Sequence, residues 1–140
     1  MQFYALQDVK PGEQLFYAYC STNGTLAQRQ AEIAPYGFVC KCPACVNATP
    51  ETDKLRSTYE TQIALFTRMV GGSSKINEAA LEDAVRLEKD MVKEGLDIDY
   101  HFVELVEAIC LGYAKLGKME EYEKYDVLVV AYRRASKDVE

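Results

Sequence analysis

From Leu55 onward, hydrophobic residues return at helical intervals. Leu55, Tyr59, Ile63, Phe66 and Val70 recur every three or four positions and form one stripe of a helix. The glycine–serine run at 71–74 breaks that stripe. Ala80, Ala84, Leu87 and Met91 make a second stripe, stopped by Gly95. Phe102, Leu105, Val106, Ile109, Tyr113 and Leu116 make a third, stopped by Gly117. A fourth helix is predicted from Met119 to about Lys137, with Tyr122, Tyr125, Leu128, Val129 and Tyr132 as its buried candidates. Short loops between four amphipathic helices predict antiparallel neighbours.

The first part of the chain follows a different pattern. "QFYAL" (2–6) and "QLFYAY" (14–19) are aromatic-rich, and "QDVKPGE" between them carries the turn pair Pro11-Gly12. This reads as a β-hairpin. A short helix is expected from Leu26 to Ile33, ended by Pro35, and "NATPETD" (47–53) reads as a linker. The expected fold is therefore α+β: residues 1–46 hold a hairpin and a cysteine loop, and residues 52–140 an antiparallel helical bundle.

With 49% hydrophobic and 27% charged residues, the composition is that of a globular protein and not of a disordered chain. A net charge of −6 argues against binding nucleic acid, which needs clustered Lys and Arg. The acidic residues of 78–94 are interleaved with Arg86, Lys89 and Lys93, as on an ordinary solvated helix face. No apolar run approaches the roughly 20 residues that span a bilayer. The N-terminus lacks the basic start and apolar core of a signal peptide. An intracellular setting, nuclear or cytoplasmic, is expected, and there clustered cysteines favour metal binding or catalysis over disulfides.

Cys40, Cys42 and Cys45 form such a cluster, C-x-C-x-x-C. Thiolates hold Zn²⁺ in a tetrahedron, and short spacings let one turn present several sulfurs to a single ion. Buried free thiols acting as small hydrophobes are the alternative. It is disfavoured by Lys41 and Pro43, which suit exposed spacers better than core. A structural zinc needs a fourth ligand. Cys110 lies on the apolar side of the third helix, His101 at the start of that helix reads as a surface residue, and Cys20 reaches the cluster only if the connecting loop folds back.

"ALQDVKPGEQLFYAY" (5–19) followed by "YGFVCKCPAC" (36–45) resembles the C-terminal end of a SET domain with its post-SET cysteine cluster, of the SET-and-MYND type. Asp8, Val9, Gly12 and Glu13 fit that family's hairpin turn, Tyr19 its strand-end tyrosine, and Cys40, Cys42 and Cys45 its zinc cluster. The resemblance implies a protein-lysine methyltransferase using S-adenosylmethionine. Tyr19 would then lie beside the lysine amine, with Phe38 and Tyr36 on the cofactor side, while the zinc would fold the loop that walls the channel. Ordinary packed aromatics are the alternative for Tyr19 and Phe38.

The family's glycine-rich cofactor segment and its "N-H-x-C" segment, which supplies the fourth zinc cysteine, are absent from this sequence. The resemblance thus implies the C-terminal portion of a larger enzyme, inactive alone, with the fourth zinc ligand outside this chain. The substrate would be a protein lysine, such as one in a histone tail. Family members carry a tetratricopeptide-like helical region after the cysteines. Ala114, Leu116 and Gly117 fit the "A-x-L-G" turn of such repeats, whereas Tyr122 stands where a small residue is usual. Two other readings remain: a non-catalytic helical module that binds a protein partner, and a zinc-binding adaptor completed by a ligand of its own.

Overall fold

The computed structural model of the chain describes residues 9–13, 18–72 and 76–137. Among these residues six α-helices follow in order: α1 (Leu26–Ile33), α2 (Pro43–Val46), α3 (Pro50–Gly71), α4 (Glu78–Glu94), α5 (Tyr100–Leu116) and α6 (Met119–Lys137), with a 3-10 turn at Ala34–Tyr36. No helix among the described residues is long and apolar enough to cross a membrane.

The helix ends follow from local chemistry. Thr49 opens α3 through a reciprocal capping box with Thr52, and Pro50 occupies the first turn, where its missing N–H costs nothing. Asn77 and Asp99 cap α4 and α5 by accepting the amides of Ala79 and His101. Gly95 and Gly117 close those two helices in the left-handed conformation. The expected linker at 47–53 is thus mostly the start of α3. A Thr-Pro pair just before a periodic stretch is a helix-start signal, and it outweighs the polar composition of that stretch.

α5 is the centre of the bundle and packs against α3, α4 and α6. The predicted stripes are largely buried: Tyr59, Ile63, Phe66 and Val70 from α3, Ala84, Leu87 and Met91 from α4, and Phe102, Leu105, Val106 and Ile109 from α5. Cys110 lies in the same core, its thiol directed at the carbonyl of Tyr122. α6 packs along α5. Among its described side chains Val129 is buried, Leu128 is exposed, and Tyr122, Tyr125 and Tyr132 pack at the margin of the core. Gly112 sits where α3, α4 and α5 meet. A Cβ there would stand 3.0 Å from Leu81 Cδ1 and 3.2 Å from Ile76 Cδ1.

The expected α+β class is corrected: the described residues form helices, turns and loops, with no strand among them. The Pro11-Gly12 turn is present, with the Glu13 amide donating to the Lys10 carbonyl at 3.0 Å. The segments beside it, 9–10 and 18–20, are not paired as strands. Residues 2–6 and 14–17 of the expected hairpin, with Asp8 and Tyr17, lie outside the described residues. Two aromatic-rich strands make a poor sheet without a third strand or a helix to cover them. Tyr19 accordingly packs on aromatics of the cysteine loop.

Candidate functional site

The cysteine loop is built around α1. Thr25 and Gln28 form a capping box that starts this helix, and Gln30 on it clamps the loop. The Gln30 amide nitrogen donates to the Cys40 carbonyl at 2.9 Å, and its oxygen accepts the Cys40 amide at 3.1 Å. Gly37 follows the 3-10 turn at φ 77°, a left-handed conformation that suits glycine and redirects the chain toward the cysteines. Cys42 precedes α2, and Cys45 lies within it.

The structure brings the three predicted ligands together. The sulfurs of Cys40, Cys42 and Cys45 all lie within 4.8 Å of one another, with Cys40 half-buried, Cys42 exposed and Cys45 buried. A tetrahedral zinc with sulfurs at about 2.3 Å has ligand–ligand edges of roughly 3.8 Å, so a small contraction would seat the ion. The donor set therefore fits zinc. Burial raises the Cys42 thiol, but hydrogen bonds from the Cys45 and Ala44 amides and from the neighbouring thiols outweigh it and leave the group below its ordinary value. Burial, together with hydrogen bonding to Cys42 and Cys40, pushes Cys45 up to about 11.

Tyr19, Tyr36 and Phe38 converge beside this cluster. The Tyr19 ring lies edge-on to Tyr36 at 5.3 Å and to Phe38 at 5.5 Å. These centroid separations are typical of attractive aromatic pairs. All three rings remain substantially exposed, as does Val39, so this apolar wall is open on one side.

The loop from Cys20 to Thr25 folds back over α1. The Ser21 amide donates to Glu32 at 3.0 Å. Cys20 is half-buried, and its thiol is raised by burial first and then by the charge of Glu32, against the opposing influence of Arg29; Cys40 and Cys42 add to the rise.

Two buried arginines that the hydrophobic pattern did not reveal hold the whole arrangement. Arg29, only 3% exposed, donates to the Gly24 carbonyl at 2.6 Å and to the Ala44 carbonyl at 3.4 Å, and pairs with Asp53 at 3.8 Å. It ties the loop, α2 and α3 to α1. Arg56 performs the corresponding task between the loop and the bundle. His101 is half-exposed and does not belong to the three-cysteine group; it pairs with Glu104 at 2.9 Å.

Two fungal proteins are similar in sequence to this chain. The histone-lysine N-methyltransferase SET5 of Meyerozyma guilliermondii is 34% identical over 59 residues, 41% of this chain and 12% of that protein. The histone-lysine N-methyltransferase SET5 of Candida albicans is 26% identical over 95 residues, 66% of this chain and 17% of that protein. The chain thus matches less than a fifth of either relative's length. Neither a family model nor a solved structure matches it.

Proposed function

We propose that the chain is the C-terminal portion of a protein-lysine methyltransferase of the SET-and-MYND type. The observation that carries this reading is the contact of Tyr19 with Tyr36 and Phe38, at 5.3 and 5.5 Å, beside the three-cysteine group. It unites the tyrosine, the aromatics and the cysteines expected at such a site, and the partial similarity to two histone-lysine methyltransferases points the same way.

In this reading residues 1–46 close the active site, and residues 52–140 form a tetratricopeptide-like support. S-adenosylmethionine would supply a methyl group on a positively charged sulfur, and the lysine amine would take it in a single displacement. Tyr19 contributes a phenol that hydrogen-bonds the deprotonated amine and aims its lone pair. Phe38 and Tyr36 offer aromatic faces to the cofactor and exclude water from the transfer. Zinc on Cys40, Cys42 and Cys45 fixes the loop and performs no chemistry, and in the whole enzyme the fourth ligand comes from the upstream segment. Glu32 and Glu60 line an open groove beside the loop together with Arg56, whose charge is paired with Glu94, and the two carboxylates suit a lysine-bearing segment such as a histone tail.

The test compares the isolated 140-residue chain with the chain extended by its upstream coding sequence, using S-adenosylmethionine and lysine-containing proteins. The extended protein should methylate lysine, the isolated chain should not, and Tyr19→Phe should slow the extended protein by about 100-fold. Turnover by the isolated chain, or an unchanged rate in the variant, would overturn the reading. A second reading, a non-catalytic module for a protein partner, draws on the exposed Val127, Leu128 and Val130 of α6.

A further inference from the structure

Cys20 is the one thiol outside the cluster that the fold brings to its side, since Cys110 is enclosed in the helical core. Both of its neighbours in sequence are anchored. Tyr19 packs on Tyr36 and Phe38, which immediately precede Cys40, and the Ser21 amide is held by Glu32 on α1, the helix whose Gln30 clamps Cys40. The connecting loop has therefore folded back, the condition that the sequence sets for Cys20 to approach the cluster. Cys20 is thus held between the aromatics that precede Cys40 and the helix that clamps Cys40, although it stands outside the group of three sulfurs within 4.8 Å.

We propose that, in this chain, Cys20 supplies the fourth sulfur of the zinc site formed with Cys40, Cys42 and Cys45. The inference goes beyond the reading above, in which the fourth ligand of the whole enzyme lies upstream. It concerns the ion that these 140 residues hold by themselves. Structural zinc is four-coordinate, and three thiolates leave one position to fill. A metal site is rarely preformed without its ion, so the irregular backbone at 18–25 closes the remaining gap on binding. Each thiol releases its proton to solvent as its sulfur–zinc bond forms. No electron is transferred, and no reactant other than the ion is needed. Ligation at Cys20 would also fasten the adjacent Tyr19 against Tyr36 and Phe38, coupling the metal to the aromatic wall.

The test uses the purified 140-residue chain and its Cys20→Ser variant. Zinc affinity is measured by competition with a chromophoric chelator. Co²⁺ serves as the spectroscopic substitute, and alkylation read by mass spectrometry maps which thiols are protected. One equivalent of zinc should protect Cys20 together with Cys40, Cys42 and Cys45. The serine variant should bind zinc weaker by about 100-fold or more, beyond the usual cost of losing an outer-sphere partner, and its cobalt charge-transfer band should drop. Helical circular dichroism checks that the variant folds. Equal affinity in variant and wild type overturns the proposal, as does protection of the three clustered thiols while Cys20 alkylates freely, or a wild-type chain that takes up no zinc. None of these outcomes bears on methyl transfer by the extended protein, so the two readings fail separately.

Discussion

The guanidinium of Arg56 donates to the backbone carbonyl of Thr22 at 2.6 Å, joining the loop that carries Tyr19 and Cys20 to the helical bundle. The same side chain reaches Glu94 Oε1 at 2.8 Å and the Glu94 carbonyl at 3.3 Å. A second tie lies alongside: the Thr22 hydroxyl and the Tyr59 phenol both donate to Asp99 Oδ2, at 2.8 and 2.9 Å, while the other oxygen of Asp99 caps α5. A third runs from the Asn23 amide to Glu60 at 2.6 Å. The placement of the aromatic wall is therefore set partly by the helices, through these polar ties.

Replacing Arg56 by methionine should destabilise the protein by about 3 kcal/mol, because it strands Glu94 and the Thr22 carbonyl in a largely buried setting. Lysine should rescue little of this, since its single ammonium cannot reproduce the fork. Urea denaturation checks the magnitude. Hydrogen exchange checks the location: faster exchange should concentrate in residues 20–25 and at the C-terminal end of α4.

Gly112 tests the packing of the bundle. Valine there would drive its methyl groups into Leu81 and Ile76, whose side chains already stand 3.0 and 3.2 Å from the position of a Cβ. Overpacking of this kind should cost about 1–3 kcal/mol. Alanine should be close to neutral, because its better helix propensity, worth about 1 kcal/mol, offsets the milder crowding. Thermal melts of both variants distinguish a packing constraint from a simple preference for a helix former.

The helical half is legible in the sequence because its stripes repeat at a fixed interval and its ends carry Asn77, Asp99, Gly95 and Gly117. The cysteines and the aromatic trio are legible because residue type and short spacing restrict what they can do. Arg29 and Arg56 are not, since a charged residue beside an apolar stripe ordinarily faces water, and only the folded partners Gly24, Ala44, Thr22 and Glu94 reveal otherwise. The hairpin expectation fails for a related reason. Aromatic enrichment reports a preference for a half-covered surface, and the surface that Tyr19 finds is the Tyr36–Phe38 pair, brought to it across α1 and the 3-10 turn that separate them in the chain.

His101 gives the stability a pH dependence. Its ring is raised above the ordinary value chiefly by the hydrogen bond to Glu104; burial opposes this, and the charges of Asp99, Glu60 and Glu104 reinforce it. A raised folded value means that the native state binds the proton more tightly than the unfolded chain. The contribution is therefore complete below the unfolded value of about 6.5, and is lost as pH rises through the higher folded value. Between pH 5.5 and 8, the urea midpoint of the wild-type protein should fall relative to that of His101→Gln. A constant difference across that window would remove His101 as the cause.

The metal site should depend on Gln30, which touches no metal. Its amide both donates to and accepts from the Cys40 backbone, so it orients the first ligand from outside the coordination sphere. Gln30→Ala should weaken zinc binding by about 10- to 100-fold, the usual effect of losing such a partner. Gln30→Glu should fall between, since it keeps the acceptor for the Cys40 amide but loses the donor to the Cys40 carbonyl. Chelator competition measures the affinities, and the thermal shift supplies an independent reading: zinc at 100 times its dissociation constant should stabilise the wild type by about 2.7 kcal/mol. At that same zinc concentration the alanine variant should show a smaller shift, while its melting temperature in chelator should stay near that of the wild type. A matching loss in chelator would mean that Gln30 supports the fold of α1 and not the geometry of the cysteines.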